Sequence, residues 1–205
     1  MSPRPPSLAA LRREAATCRR CPLHERATQT VFGEGRRDGV MLVGEQPGDV
    51  EDREGHPFVG PAGRLLRELL AEAGLAEEQT YVTNAVKHFK WRPSGKRRIH
   101  DKPTWSEVRA CGHWLDLELV SVRPALVVAL GATAAQALLG PDARVGELRG
   151  TRLELDDGLP ALVTMHPSAV LRADADRELR RGELVADLEL ARELLREIRA
   201  ERAAA

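Results

Sequence analysis

The sequence predicts an α/β fold: three layers, α/β/α, around a central, mostly parallel four-stranded sheet. Three observations predict it. Short apolar runs ending in glycine, "GVMLVG" (39–44) and "PALVVALG" (124–131), read as strands buried on both faces. Segments with helical spacing alternate with such strands, the pattern of a parallel sheet covered by helices. The 205-residue chain is 42% apolar and 30% charged, the make-up of a single globular domain, 1–205, with a sizeable core.

A short helix is expected over 7–17, ahead of the loop-rich "CRRCPL". The strand 39–44 runs into "GEQPGDVEDREGHPFVGPAG" (44–63). Five glycines and three prolines in those twenty residues predict a long irregular loop at the strand's carboxyl end. "GRLLRELLAEAGL" (63–75) has helical spacing and a glycine stop. "TYVTNAV" (80–86) is β-branched and strand-like. Then comes "SGKRRIHDKP" (94–103), three consecutive cations followed by isoleucine and histidine, read as an irregular basic loop. Residues 104–120 read as a helix, 124–131 as a second buried strand, and "ATAAQALLG" as a short helix closed by Gly140. "TRLEL" and "PALVTM" are further strands, and "HPSAVL" leaves the last of them. Residues 176–200 form a long helix of alternating charge, packed by one leucine face.

Composition excludes some classes of function. No apolar run approaches the ~18–20 residues a membrane span needs. The start of the chain, "MSPRPPSLAALRREAA", has no continuous apolar core, so no secretory signal is expected. Lysine plus arginine equals aspartate plus glutamate, 31 each, so only local clusters speak about partners. The odd count of three cysteines, with one C-x-x-C pair, argues for a reducing cytoplasm with redox or metal chemistry. A monomer is expected.

In parallel α/β sheets, ligands bind beyond the carboxyl ends of the strands. Three polar segments leave strands there: "GEQPGD", "NAVKHFK" and "HPS". A Rossmann dinucleotide site is the obvious rival, but no G-x-G-x-x-G follows a strand.

Cys18, Cys21 and Cys111 supply three thiolates, and His88, at the carboxyl edge of a strand, is a candidate fourth ligand, although a lone histidine is more often a packing residue. A Cys3His set suits zinc; iron–sulfur clusters take four thiolates and sometimes imidazole. Spacing alone does not choose between them.

"GEQPGDVEDREGHPFVGPAGRLL", "YVTNAVKHFK", "GKRRIH" and "HPS" together resemble the iron–sulfur uracil-DNA glycosylase superfamily. More narrowly, they resemble its UdgX branch, which becomes covalently attached to uracil-containing DNA. The similarity runs from Cys18 to about His166, and "KRRIH" is its most specific element. Ordinary members carry "GEGPG" and a cysteine near the position of His88; Gln46 and His88 depart from that pattern toward the UdgX branch. The resemblance implies a [4Fe–4S] cluster rather than zinc, held by Cys18, Cys21, His88 and Cys111. His88 and Cys111 would then bracket the segment carrying "KRRIH".

Uracil excision takes a base flipped from its strand and read in a pocket. On this resemblance Phe58 stacks on the ring, and the Asn84 amide meets uracil O4 and N3–H. His166 hydrogen-bonds O2 as charge develops on the leaving base. Glu45 or Asp49 orients water, and Gln46 belongs to the uracil pocket or to the docking of the basic loop. His100 decides the fate of the sugar cation. A neutral imidazole is a good nucleophile, and an aligned one has an effective molarity of ~10⁵–10⁸ M. The product is a bond between the imidazole and C1′, with Glu45 holding the reactive tautomer. Lys96, Arg97, Arg98 and Ser168 contact the DNA backbone or dock the loop. Seven cations in 85–102 (Lys87, Lys90, Arg92, Lys96, Arg97, Arg98, Lys102) stand against Asp101 alone and are expected to attract phosphates; the resemblance implies uracil-containing DNA, expected to be single-stranded, as the partner.

Overall fold

The computed structural model describes residues 6–204. Its main sheet has six strands, not the four expected. Four are parallel: β2 (Val40–Gly44), β3 (Thr80–Asn84), β6 (Leu126–Leu130) and β8 (Pro160–Thr164), in the spatial order β3-β2-β6-β8. The two additions, β1 (Glu34–Gly35) and β7 (Leu153–Glu154), are antiparallel edges two residues long. A strand that short carries no alternation for a sequence pattern to reveal.

β2 and β6 are apolar throughout because both their faces are covered, while β3 carries buried Thr80, Thr83 and Asn84. On one face Val40, Leu42, Leu126, Val128, Leu130 and Leu162 pack against α3 (Pro61–Glu72), α7 (Pro167–Arg172) and α8 (Arg177–Ala204). On the other, Met41, Val43, Val127, Ala129 and Val163 meet α4 (Trp105–Val122) and α5 (Ala132–Leu139). That is the expected three-layer arrangement. A third apolar cluster joins α1 (Leu8–Ala15) to Cys21, Leu23, Phe32, Val86 and the first half of α4. One turn of helix, α6 (Val145–Leu148), lies near the end of β8.

Two expected loops are ordered elements. Within 44–63, Asp49–Glu54 form α2. Glu51 starts it by accepting the Gly48 N–H at 3.1 Å, and Gly55, in the left-handed conformation at φ 80°, stops it. The basic segment is a hairpin, β4 (Trp91–Ser94) with β5 (Arg97–His100), and Trp91 stands opposite His100. Its two-residue turn has Gly95 at φ 57°, a first turn position that glycine adopts without strain. No helix among the described residues is long and apolar enough to cross a membrane.

Candidate active site

The carboxyl ends of the four parallel strands open into one cavity of about 810 Å³. Glu45 and Gln46 follow β2, Asn84 ends β3, Gly131 follows β6 and His166 follows β8. Asp49, Phe58, His100 and Ser168 complete the wall among the expected residues. Lys96, Arg97 and Arg98 do not line the cavity.

Glycine makes the base-sized end possible. A Cβ at Gly44 would lie 2.6 Å from Phe58 Cζ and closer still to Asn84 Oδ1, so only glycine lets both side chains approach the strand end. Phe58 is in the left-handed region at φ 56°, which is uncommon for a bulky residue, and Arg67 holds its carbonyl at 2.9 Å. The Phe58 ring stacks with His166 at 6.1 Å between centroids.

His166 accepts from the Ser168 N–H at 3.1 Å and sits 2.8 Å from the Ser168 hydroxyl, both through Nδ1. That leaves the proton on Nε2 as a hydrogen-bond donor. Ser168 therefore orients His166 and is not part of hairpin docking. Burial pushes the His166 pKa down to about 4, opposed by Glu45 and assisted by Arg172 and His100, so the ring is neutral at ordinary pH. The sign for stability follows. Between pH 6.5 and about 4 the unfolded chain binds a proton that the folded ring refuses, so stability falls as pH falls through that window. Urea midpoints measured across it are expected to drop less steeply in His166→Gln than in the parent.

Glu45 uses both carboxylate oxygens. Oε1 lies 3.1 Å from His100 Nε2, and Oε2 accepts from the Thr133 hydroxyl. Burial opposes the charge on Glu45, but its hydrogen bonds to His100 and Thr133 outweigh that and lower its pKa. The His100 side chain is 49% exposed at the cavity mouth.

The hairpin is seated by Gln46 and Arg98, for both of which docking is one of the expected alternatives. Gln46 donates to the carbonyls of Lys90 and Asp101, each at 3.2 Å, and accepts the Lys90 N–H at 3.1 Å. Its amide is thus committed to docking rather than to a bound base. Arg98 reaches Asp49 at 2.5 Å and Asp52 at 2.6 Å. Asp49 also meets Arg53 of α2 at 3.2 Å. The Trp91 ring lies between Arg26, at 4.5 Å, and Arg98, at 5.6 Å. Asp52 and Trp91 escaped sequence reasoning because their partners are distant in the chain.

The seven cations do not act alike. Lys87 is fully buried and bonded to Glu118 at 2.5 Å, Lys90 is paired with Glu107 at 3.0 Å, and Arg98 faces the two aspartates. Arg92, Lys96, Arg97 and Lys102 stay exposed. Four of the seven are therefore exposed and unburdened by the buried or docking pairs of the other three.

On the far side of Lys87, Cys18, Cys21 and Cys111 are free thiols in or against one apolar cluster. The Lys87 N–H donates to Cys111 Sγ at 3.2 Å, and the Trp114 indole N–H donates to Cys18 Sγ at 3.1 Å. Such N–H···S bonds stabilise cluster-bound thiolates. Burial raises the Cys111 pKa to about 11 and that of Cys21 above its usual value, so without a bound cation these thiols stay protonated. Buried His88, next after Lys87, is lowered to about 4 by burial and is a neutral donor. This donor chemistry fits an iron–sulfur group. Among the described residues, no three histidine, cysteine, aspartate or glutamate side chains are arranged to hold a single metal ion.

Comparison with known proteins agrees with this arrangement. A profile described as the Uracil DNA glycosylase superfamily matches residues 32–189. A Type-4 uracil-DNA glycosylase of Thermotoga maritima is 40% identical over 181 residues, 87% of this chain and 90% of that protein. A Type-4 uracil-DNA glycosylase of Archaeoglobus fulgidus is 37% identical over 180 residues, covering 84% and 87%. A Type-5 uracil-DNA glycosylase of Thermus thermophilus is 36% identical over 115 residues, 49% of each chain. With its profile match spanning most of the sequence and a Type-4 relative 40% identical over 87% of its length, the chain belongs to the Uracil DNA glycosylase superfamily.

Proposed function

We propose that the protein excises uracil from DNA, preferentially single-stranded, and then bonds His100 to C1′ of the abasic sugar, as in the UdgX branch. The observation that carries this reading is the His100–Glu45 pair at the mouth of the cavity that also holds Phe58, Asn84 and His166.

Phe58 stacks on the flipped base, and the Asn84 amide pairs with O4 and N3–H. The reversed edge of cytosine would leave buried polar groups unmatched. The glycosidic bond breaks with its electron pair on uracil, whose O2 accepts a hydrogen bond from His166 Nε2–H. Neutral His166 suits this donor role. His100 gives its Nε2–H to Glu45, which leaves the lone pair on Nδ1. That lone pair forms the bond to C1′, and the positive charge left on the imidazole balances the departing uracil anion. Glu45 stabilises the imidazolium, as a carboxylate does for a catalytic histidine. Exposed Arg92, Lys96, Arg97 and Lys102 attract the phosphates.

Cys18, Cys21, His88 and Cys111 would hold a [4Fe–4S] cluster, which supplies a fixed structural anchor for the polypeptide between His88 and Cys111 when bound.

The similarity to Type-4 enzymes favours a second reading, an ordinary glycosylase in which His100 orients water. One experiment separates the two: incubation with a single-stranded uracil oligonucleotide, followed by a denaturing gel and a count of free uracil. A shifted, denaturant-stable band with one uracil per protein supports capture. Uracil in molar excess with no shifted band overturns it.

A further inference from the structure

We propose that Thr133 is a positioning residue for the capture step, holding Glu45 so that the carboxylate serves His100. The inference rests on the reading of His100 as the nucleophile.

Glu45 leaves β2 on a short polar loop and, as a glutamate, retains rotation about its last bond. His100 Nε2 meets one oxygen only, and a half-exposed histidine at the end of a hairpin cannot by itself fix the carboxylate plane. The Thr133 hydroxyl does so from the opposite side. Its single O–H donates to Oε2, which leaves Oε1 turned toward His100.

Thr133 is suited to this task by its own surroundings. It is buried, at 2% exposure, in the first turn of α5, where its branched side chain has few rotamers. Gly131, just before the helix, has φ 90°, and a Cβ there would stand 3.0 Å from His166 Cβ. The turn therefore brings α5 close behind both Glu45 and His166. In that position the hydroxyl also offsets the burial that opposes charge on Glu45. Thr133 touches neither the base nor the sugar in the proposed pathway. It acts on the reaction through Glu45.

The test uses the full-length protein with Thr133→Val, which keeps the shape and removes the hydroxyl, and Thr133→Ser, which keeps the hydroxyl. Adduct formation and free uracil are followed in single-turnover mixtures with a single-stranded uracil oligonucleotide, from pH 5 to 9. In T133V the adduct rate is expected to fall by about 10–100-fold, the loss of one hydrogen bond to a charged group. The acidic limb of its pH profile is expected to move upward as the Glu45 carboxylate loses a donor. T133S is expected to restore both. An adduct rate and acidic limb in T133V equal to the parent's would overturn the inference, as would a loss that T133S fails to recover. Absence of an adduct in the parent protein would instead sink the reading of His100, so the two failures are told apart.

Discussion

In the His100→Ala variant the denaturant-stable band is expected to vanish while uracil is still released, now in molar excess over protein. The reason lies in a competition for one carbon. On the proposed pathway, the parent's imidazole, 3.1 Å from Glu45, would face the sugar cation with an effective concentration of ~10⁵–10⁸ M. Bulk water, on the order of 10¹–10² M, loses that contest by orders of magnitude. Alanine removes the imidazole and leaves Phe58, Asn84 and His166 in place to bind and polarise the base. Glu45 then has a vacated space beside it, where a water can be oriented. The product is a free abasic site, and the protein turns over. Electrophoresis of the reaction in denaturant, together with quantified free uracil, checks both halves. An adduct persisting in His100→Ala would assign the bond to another residue.

The second large effect concerns stability. Lys87→Met is expected to cost about 3–5 kcal/mol, because it strands a buried carboxylate. Lys87 and Glu118 are both fully buried. The Lys87 ammonium has three donors and uses all of them, on Thr83 Oγ1 at 2.8 Å, the Asn84 carbonyl at 2.6 Å and Glu118 at 2.5 Å. Glu118 also accepts the Gly33 N–H at 2.9 Å and the Tyr81 hydroxyl at 2.8 Å. Removing the cation leaves the anion with neutral donors alone in a region without solvent. Urea denaturation should show a lower midpoint with little change in slope. The double variant Lys87→Met, Glu118→Gln should recover part of the loss, since the remaining side chain carries no charge. A single-variant midpoint equal to that of the parent would show that the pair contributes nothing.

Lys87 also marks the limit of what the sequence conveys. In the chain it is one cation among seven near the hairpin, and nothing local distinguishes it from exposed Arg92. Its burial depends on Glu118, 31 residues away on α4. Thr133 was invisible for the same reason, its partner Glu45 being 88 residues distant. The parallel strands were legible because a strand covered on both faces must be apolar throughout, and Val40–Gly44 and Leu126–Leu130 are. The hairpin was not. Its residues alternate in no apolar period, and its seating comes from Gln46, Arg98 and the stacking of Trp91 with two guanidinium groups. The polar segments beyond the strands were legible as a site because strand direction gathers them whatever the loops between do. The division of labour within them was not: Gln46 and Asp49 bond to the hairpin, and Ser168 bonds to His166.

The β4–β5 hairpin is docked on α2 and Gln46 by bonds within the chain itself. The freedom its backbone gives up is therefore surrendered when the polypeptide folds and need not be surrendered again at each encounter. On the proposed reading, the mobile partner in the encounter is the nucleic acid, which must bend, unstack and rotate one nucleotide toward His100.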